Sequence, residues 1–98
     1  MRILPEDVKR GISPAEFYAD ELPDMKPPKR IGWNDGGLCP FHADAHAGSF
    51  RVHSETGAFC CFSCGAKGGD ILAFTMLRDG LSFRETLNHL ADEYGVRA

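Results

Sequence analysis

The chain has 98 residues, of which 43% are hydrophobic and 10% aromatic, enough for one small core that calls for an additional staple. Its formal charge of −3 is unfavourable for a nucleic-acid binder, but it is unevenly spread, −3 over residues 1–25, +2 over 26–69 and −2 over 70–98, so the central segment is the least acidic without being a strong basic patch. No apolar run approaches bilayer-spanning length and no charged-then-apolar leader opens the chain, so no membrane partner is expected and a reducing cytoplasm is the expected compartment.

The first dozen residues lack clear periodicity and are expected to fray, as undocked termini do. Ser13-Pro14-Ala15-Glu16 then reads as a helix start, with a Ser N-cap, Pro at the first helical position and Glu three residues on, and with Phe17, Tyr18 and Leu22 available to pack inward. Pro23 stops that helix and Pro27-Pro28 mark an extended connector. Lys29 to Trp33 reads as a strand, Asn34-Asp35-Gly36-Gly37 as a turn and Leu38-Cys39 as the returning strand, a first hairpin.

Ser49 to His53 alternates polar and apolar, Ser54-Glu55-Thr56-Gly57 turns, and Ala58 to Phe62 forms the second arm of another hairpin. Lys67-Gly68-Gly69 permits a sharp reversal, Asp70 caps a helix from Ile71 to about Asp79, and Gly80 ends it. A second capping box, Ser82-Phe83-Arg84-Glu85, opens a final helix whose apolar stripe is Phe83, Leu87, Leu90, Ala91 and Tyr94, with Gly95 at its end. Phe74, Met76, Leu77, Phe83, Leu87 and Leu90 are read as packing residues, and Phe50 and Phe62 as core.

The chemistry lies in two short knuckles. Cys39-Pro40-Phe41-His42 and Cys61-Phe62-Ser63-Cys64-Gly65 each place two residues between two potential ligands, and eighteen residues intervene between His42 and Cys61. Three thiolates and one imidazole match the tetrahedral preference of Zn2+, and a closed Cys3His set leaves no position for substrate. Cys39, His42, Cys61 and Cys64 are therefore the expected ligands of one structural zinc. Structural zinc is worth roughly 10 to 16 kcal/mol in small peptides, so chelation is expected to unfold the domain.

Pairing the cysteines as disulfides would make the ribbon spacing an accident. A ligand set using Cys60 breaks the two-residue knuckle. His46, His53 and His89 are read as exposed or hydrogen-bonded. The expected fold is thus a small α+β zinc domain over residues 13–98: an antiparallel zinc-ribbon sheet flanked by a short N-terminal helix and two C-terminal helices.

These motifs together resemble the zinc-binding domain of bacterial and phage DNA primases. The resemblance rests on Cys39 to His42, the Ser49 to Val52 strand, the Phe59 to Gly65 knuckle, the Gly69 to Phe74 helix start and the Phe83 to Ala91 helix, in that order. It implies a non-catalytic module that binds single-stranded DNA template in replication initiation, in cis or with a partner primase. None of the acidic, Mg2+-binding architecture needed for polymerisation is present in these 98 residues. The chain is then a fragment of a primase or a free-standing relative, and Met1 with the glycine-ended last helix favours the latter.

Single-strand binding needs cations along the phosphates and aromatic faces for bases. Lys29, Arg30, Arg51 and Lys67 are the candidates for phosphate, and Trp33 and Phe59 for stacking, although either ring could instead be core. Alternation sets Phe50 and Val52 opposite Arg51. The segment Ala43 to Gly48 departs from the family by lacking its Lys and Pro and by one extra residue. That loss and the acidic balance sustain an alternative: a protein-binding adaptor or regulator on a primase-type scaffold, of the kind a plasmid, phage or integrated element encodes.

Overall fold

The protein is described from a computed structural model covering residues 2–26, 28–43 and 47–98. Pro27 of the expected connector, and Asp44, Ala45 and His46, lie outside the described residues.

Among the described residues, four helices pack beside one four-stranded antiparallel sheet of order β1-β2-β3-β4. The first two helices are α1 (Pro5–Gly11) and α2 (Pro14–Glu21); the strands are β1 (Trp33–Asp35), β2 (Phe50–His53), β3 (Phe59–Cys61) and β4 (Lys67–Gly68); α3 (Ile71–Asp79) and α4 (Phe83–Tyr94) close the chain. The α+β architecture with an N-terminal helix and two C-terminal helices beside a ribbon sheet is as the sequence implies.

Where fraying was expected, a helix stands. Pro5 begins α1, Glu6 and Asp7 occupy its first turn and Lys9 and Arg10 its last, an order that suits the helix dipole. Val8 and Ile12 are buried, and Lys9 reaches Asp70 at 2.8 Å. Two core residues are too few to register as a period, which is why the pattern escaped the sequence. In α2, the Ser13 hydroxyl accepts the Glu16 amide at 3.5 Å, and Phe17, Tyr18 and Leu22 are buried as anticipated.

The first hairpin does not form. Gly32 sits at φ 104°, a conformation that breaks extended structure, so the strand begins only at Trp33, and Asn34 and Asp35 belong to it rather than to a turn. Its partner is β2, with Trp33 opposite His53 and Asp35 opposite Arg51, and the Gly36 amide extends the ladder to the Phe50 carbonyl at 2.8 Å. Local alternation specifies a strand's faces but not its partner, and this partner lies across the whole first knuckle. The second hairpin, β2 with β3, forms with Phe50 opposite Cys61 and Val52 opposite Phe59.

The glycines after the second knuckle build a strand instead of a bare reversal. Lys67 pairs with Cys60 and Gly68 with Phe59. A Cβ at Gly68 would lie 2.5 Å from the Phe59 ring and 2.8 Å from Ala73, so only glycine lets α3 approach the sheet this closely. Asp70 then caps α3 by accepting the Ala73 amide at 2.8 Å, and the box at Ser82 and Glu85 closes in both directions, at 3.1 and 2.9 Å.

The core lies between the inner sheet face and the helices. Phe17, Tyr18, Phe50, Phe59 and Phe74 are each at most 1% exposed, with edge-to-face contacts such as Tyr18 on Phe74 at 5.1 Å and Phe59 on Phe74 at 5.4 Å. Leu87, Leu90 and Ala91 join from α4. Leu77 and Phe83, expected to pack, are 53% and 46% exposed, because α3 turns Ile71, Leu72, Phe74 and Thr75 inward and Phe83 is only the first residue of α4. Glu21, Arg78 and Tyr94 tie three helices together: Arg78 meets Glu21 at 2.7 Å and lies over the Phe74 ring, while the Tyr94 hydroxyl donates to Glu21 at 3.0 Å.

Candidate metal centre and nucleic-acid face

The first knuckle occupies the loop between β1 and β2, and the second the turn between β3 and β4. The two therefore meet at one end of the sheet. The donor atoms of Cys39, His42, Cys61 and Cys64 lie within 4.8 Å of one another. Cys39 Sγ is 3.9 Å from Cys64 Sγ, and Cys61 Sγ is 3.9 Å from His42 Nδ1. A tetrahedron with zinc bonds of about 2.3 Å to sulfur and about 2.0 Å to nitrogen has edges of about 3.5 to 3.8 Å, so the quartet fits Zn2+ once its widest pair closes by about 1 Å.

Second-sphere donors prepare the sulfurs. The Cys64 amide approaches Cys61 Sγ at 3.5 Å and the Phe41 amide approaches Cys39 Sγ at 3.4 Å. Burial opposes ionisation of Cys61, but the Cys64 and Ser63 amides and the neighbouring sulfurs outweigh it and hold that thiol below its ordinary value. At Cys39 burial prevails over the Phe41 amide, and with the adjacent sulfurs it pushes the thiol up to about 12. Without a cation the cluster resists carrying three negative charges; the ion is what completes it.

No disulfide joins the four cysteines. Cys60 stands outside the cluster, on the opposite sheet face, paired with Arg51 and Lys67. His53 accepts the Glu55 and Thr56 amides on Nδ1 at 3.3 and 3.2 Å, and His89 meets Glu93 at 3.1 Å, so both are satisfied away from the metal site.

The two inner knuckle positions differ. Phe41 packs among Phe59, Phe74 and Phe50 with ring centroids at 5.5, 5.4 and 6.0 Å, whereas Phe62, read as core, is 80% exposed. Cys61 and Cys64 both converge on the metal site, and the chain leaves β3 at Phe62, so the side chain next to Cys61 is thrown outward.

The outer sheet face carries Trp33 and Asp35 on β1, Arg51 and His53 on β2, Cys60 on β3 and Lys67 on β4. Trp33 is 45% exposed and stands edge-on to His53 at 5.4 Å. Phe59 belongs to the other face and is 1% exposed, which removes it as a stacking platform. Phe50 and Val52 do lie opposite Arg51, as alternation requires.

Beside this face opens a cleft of about 570 Å3 lined by Lys26, Lys29, Arg30 and Arg51, with Asp24 and Asp35 also on its wall. Three of the four expected phosphate residues thus share one space, and Lys67 lies two strands away from Arg51 along a single rung. Lys26 was missed: a connector has no periodicity by which to place it.

A closed Cys3His clasp linking two turns of an antiparallel sheet defines a zinc ribbon with one structural Zn2+. The family model described as CHC2 zinc finger matches residues 24–98, and the chain belongs to that family. A DNA primase of Streptomyces coelicolor is 39% identical over 97 residues, covering 97% of this chain and 14% of the relative. The DNA primase of Listeria monocytogenes is 38% identical over 92 residues, covering 94% and 14%. In three dimensions the chain is similar to the Aquifex aeolicus primase crystallised as its zinc binding and RNA polymerase domains, with TM-score 0.71, 28% identity, and coverage of 95% of this chain and 22% of that one. The chain therefore spans about a seventh of the length of these curated relatives. Among the described residues no helix is long and apolar enough to cross a membrane.

Proposed function

We propose that the protein is a non-catalytic, primase-type module of the cytoplasm that binds single-stranded DNA template, in cis or beside a partner primase catalytic domain. The observation that supports this most is the convergence of Lys26, Lys29, Arg30 and Arg51 on one cleft beside an exposed Trp33. Cations for phosphates and an aromatic face for a base are the two needs of single-strand binding. They occur together here although the chain as a whole is acidic. The zinc clasp supplies rigidity and no chemistry, since all four of its ligand positions are protein side chains.

A fluorescence titration of the zinc-loaded protein with a labelled single-stranded oligonucleotide tests this reading. Binding stronger than to duplex is expected, steepest at low salt. Arg30→Ala or Arg51→Ala is expected to weaken it and to make the slope of log K against log salt shallower by about 0.7, one single-strand phosphate contact. Absence of binding by the wild type at low salt rejects the reading.

A protein-binding adaptor is the second reading. It is favoured by Phe62 and Ile31, which are 80% and 79% exposed at the second knuckle and at the entry to β1. Oligonucleotide binding that survives mutation of both apolar residues, without any recoverable protein partner, counts against it.

A further inference from the structure

Asn34 is 6% exposed in a strand whose neighbours Trp33 and Asp35 face solvent, so its amide is turned inward beneath the segment that precedes β1. Every polar group of that amide is spent on this segment's backbone. Asn34 Oδ1 accepts the Lys29 amide at 3.1 Å, and Nδ2 donates to the Arg30 carbonyl at 2.9 Å and the Gly32 carbonyl at 3.0 Å. From the other side Ser54 locks the same segment: its hydroxyl accepts the Gly32 amide at 3.0 Å and its own amide donates to the Gly32 carbonyl at 2.9 Å.

The segment so fixed carries two of the four cations of the cleft, Lys29 and Arg30, both exposed. Long basic side chains on a loose loop lose backbone and rotamer entropy when they engage a phosphate; on a segment already held they lose less. We infer that Asn34, itself on the wall of this cleft but with its amide committed to the backbone of the segment, is a positioning residue for phosphate binding there, acting through Lys29 and Arg30. Its chemistry is specific. An aspartate would retain the acceptor for the Lys29 amide but set a second acceptor against two carbonyl oxygens, and alanine would release all three bonds.

The inference rests on the single-strand reading above, and a mutant cycle separates the two. Affinity and salt slope for a single-stranded oligonucleotide are measured for the wild type, Asn34→Ala, the Lys29→Ala/Arg30→Ala pair, and all three substitutions combined, each checked for one bound zinc. Asn34→Ala is expected to weaken binding on the order of tenfold and to flatten the salt slope by up to about 1.4, the share of two single-strand phosphate contacts. In the background lacking both cations the same substitution is expected to change nothing further. A purely structural role would instead add its full loss in both backgrounds and leave the slope unmoved. That outcome, or wild-type affinity in Asn34→Ala, overturns the inference while the single-strand reading stands. Failure of the wild type to bind overturns both. If Asn34→Ala does not retain zinc, Ser54→Ala loosens the same segment from outside the core. It is expected to give a smaller loss that likewise vanishes in the Lys29→Ala/Arg30→Ala background, and full additivity there overturns the inference equally.

Discussion

Phe59 and Phe62 show how a three-residue separation on one strand and its turn decides opposite fates. Phe59 makes ring contacts with Phe41, Phe50 and Phe74 and is 1% exposed; Phe62 is 80% exposed. Phe59→Ala is therefore expected to cost about 3 to 5 kcal/mol of unfolding free energy, the usual loss for emptying a packed aromatic site. Phe62→Ser is expected to stay within about 0.5 kcal/mol of the wild type. Urea denaturation of the zinc-loaded variants measures both, and comparable losses would contradict the assignment of faces. The ligands were legible because their spacing is a local property: Cys39, His42, Cys61 and Cys64 need only two turns to converge. The flanking phenylalanines were not, since which one faces inward depends on how each knuckle leaves its strand. Sequence reading assigned Phe62 inward and left Phe59 open between core and nucleic-acid face.

Among the elements, α2, α3, α4 and the hairpin of β2 with β3 announced themselves, whereas α1 and the pairings of β1 and β4 did not. Caps and stops are written within three or four residues, so α3 (Ile71–Asp79) lies between the caps Asp70 and Gly80 and α4 (Phe83–Tyr94) between Ser82 and Gly95, as their sequences indicate. Strand pairing is non-local, and the expected hairpin about Asn34 to Gly37 gave way to a pairing of β1 with β2. Similarly, the role of α1 emerges only from its docking, where Lys9 bonds the same Asp70 that caps α3. Partial burial works against the Asp70 carboxylate, but the Lys9 ammonium and the Ala73 amide outweigh it and hold its pKa below the ordinary carboxylate value. A depressed folded-state pKa contributes stability that is present above the unfolded value, about 3.9, and is lost as pH falls through the folded one. Asp70→Ala is accordingly expected to destabilise the protein by about 1 to 2 kcal/mol near neutral pH. In urea titrations the difference from wild type should hold constant from pH 8 to pH 5 and shrink only below about pH 4; shrinkage already at pH 6 would show that another group carries the effect.

At the scale of the whole molecule, the metal site and the aromatic core are one structure rather than two. The link is Phe41, which lies between the ligands Cys39 and His42 in sequence and against Phe50, Phe59 and Phe74 in space. Phe74 in turn carries the contacts to Phe17 and Tyr18 of α2, and the Tyr18 hydroxyl crosses to the Gly57 carbonyl at 2.6 Å, at the turn between β2 and β3. Loss of zinc frees the first knuckle, which has no regular secondary structure of its own, and withdraws Phe41 from the cluster that both helices and sheet share. A 98-residue chain has little surplus with which to absorb that loss, because net stabilities of small domains are about 5 to 15 kcal/mol and structural zinc contributes a comparable amount. Chelation is therefore expected to abolish the near-ultraviolet signal of the packed aromatics and the amide-exchange protection of α2, α3 and β3 in one coincident transition, reversed by added Zn2+. Protected helices persisting after the metal is removed would mean that the core stands without its clasp, and the coupling through Phe41 would be refuted.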